Sequence, residues 1–230
     1  IRDLIVTGVQ TCALPISVLG SNAPQQNYAL NVNGNMGRSG YLMSYRYFDQ
    51  AGLTVGNSTG EQRHNLRFKV DSRLLDKVEI STNIGYTMRN VVSPVGSLTS
   101  GGGAIYTAMR IAPNVPVHYT DGSWAYGGGN TNPVAILFDG GTTNQDADEM
   151  SLMSVAKIDL TKGWDLSATY SLVNRNSLSQ VLRKSIPFVN PETPASPVYI
   201  FNNPNSLNLT DTRQRQQTLI VQSNFDFNFG

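Results

Sequence analysis

A strict alternation of side chains runs from Val78 to Arg89 and restricts this segment to one kind of structure. One largely apolar set occupies every second position, at Val78, Ile80, Thr82, Ile84, Tyr86 and Met88. The positions between them hold polar or small residues. Because a helix repeats every 3.6 residues and a strand every two, only a β-strand places the two sets on opposite faces. The pattern therefore predicts a strand with an oily side and a watery side.

The same alternation recurs along the chain and predicts an all-β fold of about seven antiparallel strands. The expected strands are Tyr28–Met36, Tyr41–Phe48, His64–Arg73, Val78–Arg89, Met150–Leu160, Trp164–Asn174 and Arg215–Phe229. Their apolar faces repeat for roughly nine to eleven residues, the length that a tilted membrane-spanning strand needs. No segment approaches the run of about 18 apolar residues expected of a transmembrane helix. A sheet, and not a helix, is therefore the candidate for crossing a membrane.

Short and long connections alternate between these strands. Residues 37–40, 74–77 and 161–163 form short turns, whereas residues 49–63, 90–148 and 175–211 form long loops. This asymmetry is typical of an up-and-down transmembrane β-barrel, which has tight periplasmic turns and long extracellular loops. Aromatic residues near the predicted strand ends suit interfacial girdles: Trp164, Tyr45, Tyr47, Tyr86 and Tyr170. The alternative fold is a soluble β-sandwich with one solvated face.

Charged residues occupy the polar faces of the predicted strands. Five of them are expected to face a barrel lumen, toward a plug or a solute: Arg67, Lys69, Asp71, Glu79 and Arg89. The alternative is a cross-strand ladder of charges, each pair of which contributes little to stability. The net charge is +1, so no basic field is available to attract nucleic acid.

No catalytic residue, metal site or cofactor is predicted. Residues Gly56–Gly60 match G-x-S-x-G, but the strand–turn–helix context of a nucleophile elbow is missing. The two histidines, His64 and His118, are far apart in sequence, and the single cysteine allows no internal disulfide. Acidic side chains at Asp146, Asp148 and Glu149 lack the spacing of a calcium-binding EF-hand and are expected to be solvated.

Three loop aromatics are the best ligand-binding candidates: Tyr119, Trp124 and Tyr126. They flank the turn at Asp121–Gly122, where exposed rings can stack on sugars or pack on a peptide. The alternative is that they pack the long loop against itself. Short helices are expected within the same loop, at 104–111 and 133–138. Asn132 followed by Pro133 fits an N-cap with proline at the first helical position.

Residues Ser39–Thr87 resemble the SusC/RagA family of TonB-dependent outer-membrane transporters. A strand-and-loop motif of this family fits residues of this segment at Tyr41, Ser44, Tyr47, Gln50 and Gly52. Its following R-x-N-x-R motif fits Arg63, Asn65 and Arg67. Further along, Pro113–Tyr119, Asp121–Gly122 and Asn132–Ala135 are similar to a loop of the same family. The resemblance extends over residues 25–230.

The resemblance implies a barrel of about 22 strands with a plugged lumen, in the outer membrane of a Gram-negative bacterium of the Bacteroidetes type. It implies import of glycans or peptides, without catalysis. A SusD-like surface lipoprotein would cap the barrel, and the TonB complex would act through a plug region that this chain is expected to lack. A passive porin-like channel and a carbohydrate-binding, adhesin-like sandwich are the functional alternatives.

The chain is thus expected to have two parts. Residues 17–230 are a partial transporter barrel, whose unpaired edge strands lipid cannot satisfy. Residues 1–16 include VTGVQTCALPI, which resembles a translated sequencing-library adapter. We expect this segment to be non-native and to pack poorly on the rest.

Overall fold

A computed structural model describes residues 18–56, 59–96, 103–112, 114–127, 131–190 and 196–226. The adapter-like segment 1–16 and the predicted end of the last strand at Phe229 lie outside these residues. The elements, in chain order, are β1 Gln25–Met36, β2 Ser39–Ala51, β3 Gly60–Leu75, β4 Val78–Pro94, α1 Ala104–Ala108, α2 Pro133–Asp139, β5 Gly141–Thr161, β6 Trp164–Arg183, β7 Ile186–Phe188, β8 Tyr199–Phe201 and β9 Ser206–Phe225. The all-β prediction is confirmed.

Seven long strands form one antiparallel meander in the order β1-β2-β3-β4-β5-β6-β9. All seven predicted strands are present within it. Two-residue turns join β1 to β2, β3 to β4 and β5 to β6, at 37–38, 76–77 and 162–163. The positive φ angles of Gly37 and Gly163, +63° and +76°, explain why glycine occupies two of these turns. Long connections link the other ends of the strands, so the expected alternation of short and long is observed.

The strands are longer than the sequence predicted, and all three long loops are correspondingly shorter. β5 and β6 have 21 and 20 residues, and β4 continues to Pro94. The predicted loops 49–63, 90–148 and 175–211 were therefore too long, because their outer parts are paired strand. Paired backbone in these extensions satisfies its hydrogen bonds whether or not the side chains alternate. The loop after β6 also contains the small β7–β8 sheet, which the sequence did not predict.

Cross-strand register assigns each side chain to one of two faces. We define the polar face as the side that carries Arg67 and Lys69 on alternate positions of β3, and the apolar face as the side that carries Leu66 and Phe68. Residues directly opposite one another in an antiparallel pair share a face. The apolar face includes the rung Val32–Met43–Phe68–Ile84–Leu152–Leu172. The faces follow the alternation in the sequence.

The apolar band crosses the sheet obliquely. On β1 it begins at Tyr28, whereas on β9 it begins at Leu219, which shares a rung with Gly34, six residues after Tyr28. A band that is level in a membrane shifts along the rungs when strands are tilted, as they must be in a barrel. Beyond the band, toward the long loops, the same face carries polar residues such as Asp148 and Asn176.

No dry core lies between stacked sheets in the described residues, as a sandwich would require. Phe68 is 41% exposed, and Ile80 and Leu166 are only partly buried. The buried apolar residues instead lie outside the seven-stranded sheet: Val18, Val95, Ala104, Ala108, Ile111, Ala125, Val134, Ala135, Ile136, Leu137, Ile186 and Phe188. The sheet therefore presents both faces to its surroundings.

The buried residues form a loop core at the long-loop end of the sheet. One cluster joins Val18, Ala104, Ala108, Val134 and Leu137. A second cluster joins Ala135 of α2 to Ile186 and Phe188 of β7. Both predicted helices are confirmed, although α1 ends at Ala108 and is shorter than expected. No helix in the described part of the chain combines the length and apolar character that a membrane span requires.

Candidate functional site

The five charged residues predicted to face a lumen lie on one face of the sheet. Cross-strand register places all of them on the polar face: Arg67, Lys69, Asp71, Glu79 and Arg89. Lys69 forms an ion pair with Asp71 at 2.7 Å, and Arg73 pairs with Glu79. These pairs are about half exposed, so each contributes little to stability. Asp71, Arg73 and Glu79 line a cavity of about 750 Å³ near the short turns. That this face borders a lumen remains a prediction.

Glu61 organises the charges at the opposite, long-loop end of this face. Its carboxylate accepts two hydrogen bonds from Arg89, at 3.0 and 2.9 Å, and further ones from Arg63. The bonds from Arg89, followed by those from Arg63, lower the pKa of Glu61 from 4.5 to about 2. The side chain is partly buried and lies toward the long loops from the apolar band on β3. Glu61 therefore remains ionised at neutral pH and forms ion pairs with two arginines, Arg63 and Arg89.

Arginines that the sequence analysis did not select complete this end of the polar face. Arg175 donates to Glu149 at 2.5 Å, and Arg46 of β2 lies directly opposite Asn65 of β3. Arg175 fell in an expected loop because alternation fades there. Only the register of β6 against β5 brings Arg175 to Glu149. No local sequence signal indicated this ion pair or the position of Arg46 beside β3.

The three acidic residues weighed as calcium ligands do not converge. Asp146 and Asp148 lie on the apolar face of β5 beyond the band, whereas Glu149 lies on the polar face. Each has its own partner, since Asn90 donates to Asp146, Asn176 to Asp148 and Arg175 to Glu149. Within the described ranges, no group of three His, Cys, Asp or Glu residues is arranged to hold a metal ion.

His64 belongs to an aromatic group on the apolar face. Its Nδ1 atom lies 2.8 Å from the Tyr45 hydroxyl, and its ring centroid lies 4.9 Å from that of Tyr47. Tyr28 stacks on Tyr47 at 6.3 Å. The group marks the long-loop edge of the apolar band, where amphipathic rings suit a membrane interface. In the G-x-S-x-G match, Asn57 and Ser58 lie outside the described residues.

Trp124 and Tyr126 pack within the loop region. The ring of Trp124 lies 3.9 Å from that of His118, and its Nε1 donates to Asp139 at 2.7 Å. Tyr126 packs against Tyr199 of β8 at 6.3 Å. Both side chains contact the loop core, although both are only partly buried. These two rings thus pack the loop against itself, which was the predicted alternative to ligand contact. Ligand contact by these rings stays a prediction.

Tyr119 lies beside a tight turn. Its backbone N–H donates to Ser123 at 3.0 Å, and Gly122 donates back to its carbonyl. Asp121 within the turn accepts from the hydroxyl and backbone N–H of Ser123, which lowers the pKa of Asp121. The Tyr119 ring is partly buried and has no partner within the described ranges. Of the three aromatics, it is the one whose side chain has no hydrogen bond or ring contact to the residues that the structure describes.

Comparison with known proteins identifies a fold. No protein-family model and no curated protein matches this sequence. The chain resembles solved structures of the RagAB peptide importer in its closed-closed and open-open states, with TM-scores of 0.67 and 0.68 at 15% identity. A structure of the RagAB peptide transporter gives 0.66 at 16% identity. The matches cover 94% of this chain but only 23–24% of each neighbour. The chain therefore has the fold of a partial β-barrel of a RagA-like transporter and spans about a quarter of that protein's length.

Proposed function

We propose that this chain forms part of the wall and the outer loops of a TonB-dependent outer-membrane transporter of the SusC/RagA type. The observation that carries the proposal is the two-sided sheet. One face bears an oblique apolar band, the other bears charged residues, and neither covers a core. Such a wall suits hydrocarbon outside and water inside. The RagA-like partial-barrel fold supports the same assignment.

In this proposal the chain positions and conducts cargo without chemical catalysis. The solved neighbours are described as peptide importers, so peptides are the first cargo to test and oligosaccharides the second. The resemblance of Ser39–Thr87 implies a SusD-like lipoprotein at the surface and a TonB complex that acts through another part of the transporter. Tyr119, Trp124 and Tyr126 would lie on the outer side, within reach of incoming cargo. Tyr119 is the first of the three to test, because its side chain has no hydrogen bond or ring contact to the described residues.

Energised uptake by intact cells tests the proposal. The gene is deleted and restored in its host, and uptake of fluorescent peptides and oligosaccharides is measured with and without a protonophore. We expect uptake that needs this gene, falls to background with the protonophore and falls likewise in a strain lacking TonB. Deleting the gene for the proposed SusD-like lipoprotein should reduce uptake as well.

Each alternative function has its own result in this experiment. Uptake that needs the gene but ignores the protonophore would replace the transporter with a passive channel. Recovery of the protein in the soluble fraction, without detergent, would instead support the sandwich and overturn the membrane assignment.

A further inference from the structure

Charge is unevenly distributed along the polar face. The half near the long loops carries six arginines, Arg46, Arg63, Arg67, Arg89, Arg175 and Arg183, against two glutamates, Glu61 and Glu149. The half near the short turns carries three cations, Lys69, Arg73 and Lys157, against four carboxylates, Asp71, Glu79, Asp159 and Asp165. One end of the face is therefore strongly positive, and the other is close to neutral.

Within the described ranges, three of these arginines, Arg46, Arg67 and Arg183, form no ion pair with a carboxylate. Both glutamates of the positive half are engaged, Glu61 by Arg89 and Arg63 and Glu149 by Arg175. Arg46 has no hydrogen bond, ion pair or ring contact within the described ranges. Arg67 donates from Nε to the amide oxygen of Asn83 at 2.9 Å, and that is its only described hydrogen bond. The guanidinium groups of Arg46 and Arg67 retain donors for an external acceptor.

The register places Arg46 and Arg67 side by side. Arg46 lies directly opposite Asn65, and Arg67 is two residues further along the same strand. Such diagonal neighbours have their Cα atoms roughly 7–8 Å apart, within reach of long side chains. Arg63 is the other diagonal neighbour of Arg46. Like charges at these spacings repel one another, so this arrangement is less stable than a neutral one unless an anion lies between the arginines.

The pair lies at the height of the aromatic edge of the band. Arg46 is flanked along β2 by Tyr45 and Tyr47, which point to the opposite face. Arg46 and Arg67 are both exposed. Across β4–β6 the same end of the sheet forms a cavity of about 330 Å³, lined by Arg89 and Arg175 together with Asp148 and Glu149. Arg46 and Arg67 lie outside this cavity and are accessible to a solute at the long-loop end.

We propose that Arg46 and Arg67 form an anion-binding pair that recognises carboxylate groups on cargo entering the lumen. This inference rests on the proposed function, in which the polar face borders that lumen. Guanidinium groups suit planar carboxylates because two parallel N–H donors match two oxygens. The cargo class is thus an acidic oligomer, either a peptide rich in Asp and Glu or an oligosaccharide of uronic acids.

The test compares acidic ligands with neutral analogues on the whole transporter in outer-membrane vesicles. The ligands are a glutamate-containing peptide, its glutamine isostere, an oligogalacturonate and its methyl ester. We expect R46Q/R67Q to weaken binding of an acidic ligand by about tenfold and to leave its neutral analogue unchanged, since a hydrogen bond to a charged group is worth about that much. R46K/R67K should restore part of the loss by keeping the charge. The acidic ligand whose binding weakens, the peptide or the oligogalacturonate, identifies the class of cargo that carries the carboxylate.

The matched control is R213Q, which removes one arginine from the opposite face of β9, where Arg213 pairs with Asp211. R213Q should leave the binding of all four ligands unchanged. Slower or faster migration of unheated samples on gels, compared with heated ones, confirms that each variant is folded.

Equal losses of affinity for acidic and neutral ligands in R46Q/R67Q, or no loss for either, would overturn the inference. Dye leakage through R46Q/R67Q without altered discrimination would instead assign the pair to a plug contact. Absence of energised uptake of any cargo would count against the proposed function itself.

Discussion

Glu61 is a single carboxylate that neutralises part of the positive charge on the arginine-rich end of the polar face. Two arginines from neighbouring positions of the polar face converge on it, and their hydrogen bonds hold its pKa near 2. Without Glu61, Arg63 and Arg89, which lie directly opposite each other, would face one another unneutralised. Glu61 therefore offsets the repulsion between Arg63 of β3 and Arg89 of β4 at the long-loop end.

E61Q tests this role through pH. A pKa that is lower in the folded state than its ordinary 4.5 contributes stability above pH 4.5, which is lost as pH falls toward 2. At pH 7 we expect E61Q to lower the free energy of unfolding by about 1 kcal/mol. This value lies between the stabilisation expected of an exposed ion pair and that of a hydrogen bond to a charged group. Thermal unfolding of both proteins at pH 7, 4.5 and 2 measures the difference. A difference that persists unchanged at pH 2 would contradict the pKa assignment.

Among the elements, α2 depends most clearly on one side chain. Asn132 is fully buried, and its Oδ1 accepts from the N–H groups of Val134 and Ala135 at 3.1 and 3.3 Å. Its Nδ2 donates to the carbonyls of Val117 and Ala125, at 2.7 and 3.4 Å. One amide thus caps the helix and connects it to the preceding loop.

Substitution at Asn132 separates these two tasks. N132A should destabilise the loop region by about 2–4 kcal/mol, because it removes an N-cap and leaves buried carbonyls without donors. N132D should keep the cap but lose the donors. Protease sensitivity of the segment around α2 in the folded protein measures both variants. We expect both variants to be cleaved faster than the wild type, N132A through loss of the cap and N132D because its buried carboxyl group faces two carbonyl oxygens. Equal cleavage of all three would exclude both roles of Asn132.

The strands also show what a sequence pattern can predict. Their middle parts were predicted because apolar and polar positions alternate there. Near Asp146 and Asn176 both faces are polar, so the alternation disappears although the backbone pairing continues. Arg46 and Arg175 were missed for a related reason, because their significance depends on the register of a neighbouring strand. Helix α2 was predicted because its signal, Asn132 followed by Pro133, is local.

At the scale of the whole molecule, the sheet and the loop region are built on opposite principles. The sheet exposes apolar side chains along one face, with Phe68 and Met43 more than 40% exposed, whereas the loop region buries its own. A soluble domain rarely leaves so large an apolar surface uncovered. A hydrocarbon surrounding would cover it.

Arginine substitution on neighbouring positions of β6 tests where the hydrocarbon lies. Ala168 is on the apolar face within the band, and Thr169 is on the polar face. In the intact barrel, A168R should cost about 2–4 kcal/mol, the penalty of a lipid-facing arginine near the bilayer midplane, and T169R should cost much less. Urea titration of barrel refolded into lipid vesicles measures both. Equal penalties would place no membrane against this face.

The loop core has a consequence for how such a surface can diversify. Its members come from connections far apart in sequence, with Val18 packed against Ala104 and Val134, and Ala135 packed against Phe188. A change of shape in one connection therefore leaves a gap or an overlap in the others. New cargo specificity would arise by exchanging these segments as a matched set, and grafting one of them alone into a relative would carry over its residues without their support.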